Sequence, residues 1–273
     1  MSDTITLTLR SPVERIVEAE CLVPSALASL GERDIAHLPL WEGPNQMRVG
    51  DLFDVRGERS AVLRIAGDLS LVDAVGAGMT GGELTVDGTV GRYVATRMSG
   101  GVVRIRGDAG YGAGLEMSGG VLDIHGNAGD RLGAARLGAS RGMTGGEIIV
   151  RGAAGHEVGA RMRRGTIVCG QAGARAAQAM IAGNVIILGA LGDDPGPDNK
   201  RGSIVALGGA RVPHGYRYAC TYRPPHVALT LALLRRRYAL PVTDAQITGR
   251  YRRYSGDLAE LGKGEILEWM TDA

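Results

Sequence analysis

A string of the form M-[ST]-G-G, followed by alternating apolar residues and a closing glycine, recurs along the middle of this 273-residue chain. It reads MTGGELTVDG from Met79, MSGGVVRIRG from Met98, MSGGVLDIHG from Met117 and MTGGEIIVRG from Met143. Weaker copies follow as MRRGTIVCG from Met162, MIAGNVIILG from Met180 and RGSIVALG ending at Gly208. With Gly82, Gly101, Gly120, Gly146, Gly165, Gly183 and Gly202 as the reference column, the spacings are 19, 19, 26, 19, 18 and 19. The 26 is one period plus an insertion around Arg131 to Ser140. A fixed period constrains the fold more than any single residue does, because each unit has to bury itself against its neighbours.

After each reference glycine the residues alternate with the period of a strand. Leu84 and Val86, Val103 and Ile105, Leu122 and Ile124, and Ile148 and Val150 are expected to point inward, with Thr85, Arg104 and Arg106 pointing outward. G-x-x-G corners such as Gly88 to Gly91 and Gly107 to Gly110 then lead to the next methionine. Nineteen residues are too few for a βαβ unit of about 30, and no helical apolar period fits between the glycines. The period therefore predicts one coil of a β-solenoid. Seven coils stacked at the roughly 4.8 Å inter-strand spacing would make a rod of about 30 Å. Met79, Met98, Met117, Met143, Met162 and Met180 would form an internal ladder. Methionine is an ordinary filler of irregular cores, and no His or Cys column accompanies it, so the ladder is read as packing and not as a metal or haem site.

Residues 1–62 and 209–273 fall outside the period. They are expected to cap the repeat region, 63–208, with an α/β N-terminal cap and a partly helical C-terminal one. TITLTLR reads as a strand, and Pro24 to Gly31 as a short helix with Pro at its start and Gly past its end. Pro225 opens a longer helix, with Val227, Leu231, Leu234 and Tyr238 on one face and Arg235 to Arg237 in the last turn. The tail from Arg250 is expected to add a loop and a short helix. On the outward face, polar Thr85, Arg104 and Asp123 give way to Ile149, Ile186, Leu188, Val205 and Leu207. Such an apolar strip needs a cover, either the helix at Pro225 or a partner protein.

Composition narrows the function classes. Glycine supplies 44 of the 273 residues, more than twice the roughly 7% of average usage, yet without the every-third-residue spacing of collagen. A net charge of +2, with no basic cluster interleaved with aromatics, gives no nucleic-acid signature. The longest apolar run, Val227 to Leu234, is short of the roughly 20 residues of a membrane span. MSDTITLTLR lacks the apolar block of a signal peptide, so a cytoplasmic location is expected. Cys21, Cys169 and Cys220 are far apart, without a C-x-x-C. Of the 31 basic residues only Lys200 and Lys263 are lysines. That bias fits a GC-rich genome, or recognition of carboxylates or phosphates by arginine's planar fork.

Three motif matches fail on context. Gly76-Ala-Gly78-Met-Thr-Gly81 satisfies G-x-G-x-x-G but precedes a strand instead of a helix. Gly138-Ala-Ser140-Arg-Gly142 satisfies G-x-S-x-G but sits in the insertion, with no strand–turn–helix around it. His156-Glu157 begins an H-E-x-x-H that ends in Ala160. No catalytic residue, metal ligand or cofactor site is therefore assigned to this chain. Arg161, Arg163 and Arg164 are the densest basic spot in the repeat; they are read as a solvated corner, or as contacts for an acidic tail.

The units from about Leu63 to Gly208 resemble the glycine-repeat domain of glutamate synthase large subunits, and also the C subunit of formylmethanofuran dehydrogenase. The flanks MRVGDLFDV (Met47 to Val55) and YSGDLAELGKGEIL (Tyr254 to Leu267) are similar to the second family, and the arginine bias favours its bacterial formyltransferase/hydrolase branch. The resemblance implies an all-β, right-handed parallel β-helix acting as a non-catalytic scaffold in methylotrophic one-carbon metabolism. The complex would move a formyl group from formyl-tetrahydromethanopterin to a methanofuran-type carrier and release formate, with the carrier and any metal in partner subunits. Two further readings within the resemblance are a glutamate-synthase-like structural subunit and a subunit of a molybdenum or tungsten formylmethanofuran dehydrogenase. An independent β-helical enzyme acting on a saccharide or acyl substrate would need an acidic or histidine cluster that the sequence lacks.

Overall fold

The computed structural model describes residues 4–271. The N-terminal part comprises β1 (Ile5–Leu9), β2 (Val17–Glu18), α1 (Pro24–Leu27), α2 (Glu32–Ala36), a hairpin of β3 (Pro39–Glu42) and β4 (Asn45–Arg48), α3 (Val49–Leu52) and β5 (Phe53–Arg56). Then come β6 (Val62–Ala66), β7 (Val72–Asp73) and seven repeat strands. These are β8 (Glu83–Val86), β9 (Val102–Ile105), β10 (Val121–Ile124), β11 (Glu147–Ala154), β12 (Thr166–Ala172), β13 (Asn184–Ile187) and β14 (Ser203–Ala206). The C-terminal part holds β15 (Arg217–Tyr222), α4 (Pro225–Tyr238), α5 (Asp244–Thr248), β16 (Tyr251–Gly256) and β17 (Gly264–Trp269).

The period is realised as strand register. Leu84 pairs with Val103, Val103 with Leu122, Leu122 with Ile148, and the same column runs on through Ile167, Val185 and Ile204, all parallel. Each expected inward residue from Leu84 to Val150 is fully buried, as are all six methionines of the ladder. The sequence couples the methionines to the reference glycines for a steric reason. A Cβ at Gly101 would lie 2.6 Å from the Met79 methyl, and one at Gly120 would lie 2.6 Å from the Met98 methyl. Both glycines also hold φ near +80° to +90°, where a side chain is strained.

The expectation of an all-β, right-handed parallel β-helix is corrected. The strands form one thirteen-stranded mixed sheet in the order β15-β16-β17-β14-β13-β12-β11-β10-β9-β8-β6-β1-β5, beside a four-stranded sheet β4-β3-β2-β7, with five helices added. The reason lies in what each repeat can extend. Only the stretch after the reference glycine alternates long enough to make a full strand. The glycine-rich corners connect successive repeats mainly through single bridges such as Leu69 to Val90, Val90 to Ala109 and Ala109 to Ala128. The flanks then add antiparallel pairs, β1 with β5 at one end and β17 with β16 and β15 at the other.

The tail also departs from expectation. It makes β16 and β17 in place of a loop and helix, and β17 extends the sheet in parallel with β14. An unpaired β14 would leave a row of backbone groups without partners, and Ile266 and Leu267 alternate into cores on opposite faces of the strand. At the other end, Gly31 serves as the N-cap of α2 instead of closing a single helix from Pro24.

The outer face of the sheet is divided. Over β6 and β8–β10 it is polar: Arg104 pairs with Glu83 at 3.0 Å, and Asp87 bonds both Arg64 and Arg106. Over β11–β14 it is apolar, and α4 lies on it. Val227, Leu231 and Leu234 pack with Ile149, Val168, Ile186, Val205 and Leu207 in a second core, which Tyr251 and Leu267 complete. Of the two covers expected for the apolar strip, the helix is the one found. The end of α4 is stitched down where the two halves meet. Arg151 donates to the Tyr238 carbonyl and to buried Asp123, both at 3.1 Å, Arg237 pairs with Glu147, and the Tyr238 hydroxyl donates to Glu147.

Met98→Asp is expected to unfold or aggregate the protein, since an unpaired buried carboxylate costs several kcal/mol against a typical stability of about 5–15 kcal/mol. Arg104→Ala removes only an exposed pair worth roughly 0.2–1 kcal/mol, and should barely move the thermal midpoint. Equal effects in a melting experiment would refute the inward and outward assignment. Leu231→Asp should expose the apolar half of the sheet and raise binding of a hydrophobic dye without unfolding the repeats, which dye titration beside far-UV circular dichroism would detect.

Candidate functional site

The turns that run from each G-x-x-G corner to the next methionine are rich in left-handed backbone. In the repeat after Met98 the first two such positions past the corner are Gly112 and Gly114, with φ of +72° and +64°. Their counterparts one repeat earlier are Tyr93 and Ala95, held at +64° and +55°. Arg97, Glu116, Arg131, Glu157 and Arg161 sit at similar angles, between +55° and +62°. Left-handed backbone costs a non-glycine residue about 1–2 kcal/mol, and strain of this kind concentrates at functional sites. Each of these charged or aromatic residues faces two adjacent hollows or pairs with a residue that does.

The larger hollow, about 400 Å³, lies between these corners and the N-terminal segment that carries Glu18 and Glu20. Asp73 is buried in its wall. Its carboxylate accepts from the Arg92 amide at 2.7 Å and from Arg92 Nε at 2.9 Å. The hydrogen bond and charge of Asp73 raise the Arg92 pKa above its ordinary value. The Arg92 guanidinium lies 5.8 Å from the Tyr93 ring centroid, and Tyr93 meets Tyr111 edge to face at 5.7 Å. Arg97, on the same wall, has no ion pair or side-chain hydrogen bond among the described residues.

The smaller hollow, about 200 Å³, is lined by Arg131, Arg136, Glu157, Arg161 and Gln178 among others. Arg131 pairs with Glu157 and donates to the Ala135 carbonyl at 2.7 Å. Arg136 pairs with Glu116 at 3.0 Å. Arg136 and Leu137 border both hollows, so the insertion that interrupts the period forms the ridge between them. Of the three arginines singled out from the sequence, the structure brings only Arg161 into a hollow. Arg163 and Arg164 are exposed, with their amides directed to the Met143 carbonyl. Sequence reasoning missed Arg92, Arg97, Arg131 and Arg136. The signal that could have found Arg97 and Arg131 is a large residue where the preceding repeat has a glycine, Gly78 and Gly112 respectively, whereas Arg92 and Arg136 carry no such mark.

The rejected motifs fall where their context implied. Gly76 and Gly78 turn into strand β8, Ser140 lies on the insertion, His156 Nδ1 accepts from the Ala174 amide at 3.1 Å, and Glu157 is held by Arg131. Ser203 Oγ donates to Glu265 Oε1 at 2.7 Å, while His226 Nε2 stands 3.9 Å from that oxygen. The hydroxyl is thus bonded to a carboxylate that also pairs with Arg253 at 2.8 Å, and not to an imidazole. Burial pushes the Cys21 thiol up to about 11, against a smaller opposing backbone hydrogen bond, and raises Cys169 further. Among the described residues no group of three or more His, Cys, Asp or Glu side chains is arranged to hold a metal ion, and no helix is long and apolar enough to cross a membrane. What the corner face offers is binding: guanidiniums for anionic groups, two tyrosine rings and a ridge.

No family model matches the chain. It is 50% identical over 262 residues to the C subunit of the formyltransferase/hydrolase complex Fhc of Methylorubrum extorquens, covering 96% of this chain and 98% of that protein. It is 28% identical over 95 residues to the C subunit of the molybdenum-containing formylmethanofuran dehydrogenase 1 of Methanosarcina barkeri, covering 33% of this chain and 32% of that one. A chain in the crystal structure of the formyltransferase/hydrolase complex FhcABCD from Methylorubrum extorquens, determined with methylofuran, superposes with a TM-score of 0.90. The identity there is 36%, over 97% of this chain and 100% of that chain.

The thiols supply a direct check on the burial pattern. Exposed Cys220 should react quickly with a thiol reagent near neutral pH, Cys21 slowly, and buried Cys169 only after unfolding. Peptide mapping of the labelled protein reads the order, and early labelling of Cys169 would contradict the packing of β12.

Proposed function

Because the chain belongs to the family of C subunits of formyltransferase/hydrolase complexes, we propose that it is the non-catalytic scaffold of such a complex. The observation that carries this reading is the match at 50% identity over nearly the whole of both chains. The similarity to the dehydrogenase relative spans a third of each chain, so the molybdenum or tungsten enzyme is the weaker assignment.

The complex moves a formyl group from formyl-tetrahydromethanopterin to a methanofuran-type carrier and releases formate. Both steps require groups that attack a carbonyl and stabilise the resulting oxyanion. Ser203 is bonded to a carboxylate, and burial raises the thiols of Cys21 and Cys169, so none of these three is an activated nucleophile. The carrier and any metal are assigned to the partner subunits. The role left to this chain is to present a rigid surface: seven strands in register at roughly 4.8 Å extend for about 30 Å. Holding two active sites at a fixed separation lets a tethered carrier pass between them at high effective concentration. Arg161, Arg163 and Arg164 are proposed as contacts for an acidic tail on that carrier, and the complex is proposed to work in the cytoplasm.

Reconstitution with and without this chain tests the reading. The remaining subunits are expected to keep residual half-reactions and to lose assembly or coupled turnover. Formyl release by the isolated chain, or normal assembly and turnover in its absence, would overturn it.

A further inference from the structure

A helix that only covers a sheet needs one apolar stripe, and α4 has more than that. Between Val227 and Leu234 its one polar residue is Thr230. Val227, Leu231 and Leu234 are used in the second core. On the opposite side Leu229 is 73% exposed and Leu233, one turn on, is 47% exposed. Neither leucine belongs to a core of this chain. With Ala232 between them and Arg236 beyond, they fall at i, i+3, i+4 and i+7, the spacing of a helix that anchors in a groove.

Charge at the two ends of the stripe says what the groove must carry. No acidic residue occurs in α4. The carboxylates that reach its side chains among the described residues are already held: Glu265 by Ser203 and Arg253, Asp244 by Arg235, and Glu147 by Arg237 and the Tyr238 hydroxyl. Arg223 before the helix and Arg236 near its end are exposed, with no ion pair or side-chain hydrogen bond among the described residues. Beside Arg236 opens a hollow of about 480 Å³ whose wall holds Arg104, Arg151, Arg236 and Arg237. Asp123, the carboxylate of that wall, is engaged by Arg151 at 3.1 Å. Residues 209–273 carry ten basic against six acidic residues, a net +4 in a chain of net +2. A second copy meeting this face through a two-fold axis would set +4 against +4, with Arg236 toward the Arg223 end of its mate. The acidic cap, 1–62, with ten acidic against six basic residues, lies at the far edge of the sheet. A copy that used it would add head to tail without closure, unlike the complexes of distinct subunits to which this family belongs.

We propose that α4 is shared between two proteins. Its inner stripe covers the sheet, and its outer stripe docks in an apolar groove of another subunit of the complex, whose carboxylates meet Arg223 and enter the hollow at Arg236. The proposal rests on the subunit reading above and adds which face is used and what the partner must present.

Full-length protein carrying Leu229→Gln with Leu233→Gln, and separately Arg223→Glu with Arg236→Glu, is to be mixed with the purified partner subunits. Surface plasmon resonance follows association, and sedimentation follows each chain alone. Glutamine has a helix propensity close to that of leucine, so the free leucine variant should melt as the wild type does. It is expected to weaken association roughly 30-fold or more, through the lost burial of two solvent-facing side chains. The charge reversal should slow association and remove its acceleration at low salt. Wild-type affinity in either variant overturns the proposal while leaving the subunit reading intact. A clearly lowered melting midpoint of the free leucine variant also overturns it, because both side chains would then belong to this chain's own packing. Failure of the wild-type chain to join these subunits at all removes the subunit reading, and this proposal with it. Self-association of the wild type that the leucine changes abolish would overturn it in favour of a second copy.

Discussion

The fold depends on a steric exchange between neighbouring repeats. Each methionine of the ladder places its methyl where the next reference glycine has no Cβ, so Met79 fills the space at Gly101 and Met98 the space at Gly120. Neither residue works alone. A larger residue in the glycine column would meet both the methyl and the backbone below it, and a shorter one in the methionine column would leave a void with no atoms on one side. The exchange also holds register. A slip of one residue would set methionines against the alternating strand and turn every buried aliphatic outward. Parallel strands with short overlaps form a continuous sheet because this contact recurs.

On that base the two faces of the sheet follow different rules. The inner face is uniform, since one column of Leu, Val and Ile suits every repeat. The outer face changes from ion pairs over β8–β10 to an apolar strip under α4, and the junction carries the Asp123–Arg151 pair together with the end of the helix. Asp123 is buried beside its arginine, whereas Arg104 one strand away remains exposed. The same column of outward positions therefore provides a wetted surface, a buried polar seam and a second core in succession. The corner face is different again: tolerance for left-handed backbone there is used to display Tyr93, Arg97 and Arg161.

Most of this organisation was legible in the residues, for a definable reason. Period and alternation report which side chains share an environment, so the inward columns, the methionine ladder and the apolar face of the helix at Pro225 could be read directly. The strip from Ile149 to Leu207 announced that it needed a cover. What could not be read was how far each side of a repeat extends into a strand, because glycine-rich corners carry no alternation. The sheet is therefore mixed and open-ended where a closed coil was expected. The tail misled for a related reason: Tyr254 to Leu267 holds residues that suit a helix, but the free edge of β14 recruits Gly264–Trp269 as a strand. At the corner face, the dense run Arg161, Arg163 and Arg164 drew attention by adjacency, whereas the arginines that line the hollows come from separate repeats and meet only in three dimensions.

The position of α4 in the chain has a consequence for biosynthesis. The apolar strip is laid down by β11–β14, but its cover lies further along, in Val227 to Leu234, and Leu267 completes the seal later still. A ribosome adding about 5–20 residues per second therefore releases the repeats in order, each able to stack on the one before, while the outer face of the last four stays bare. During that interval the nascent chain displays a broad sticky surface, and its solubility rests on the polar strands already formed and on whatever chaperone holds it. Truncated products that end between Leu207 and Pro225 would keep that surface indefinitely, which makes early termination in this stretch more hazardous to the cell than termination inside the repeats.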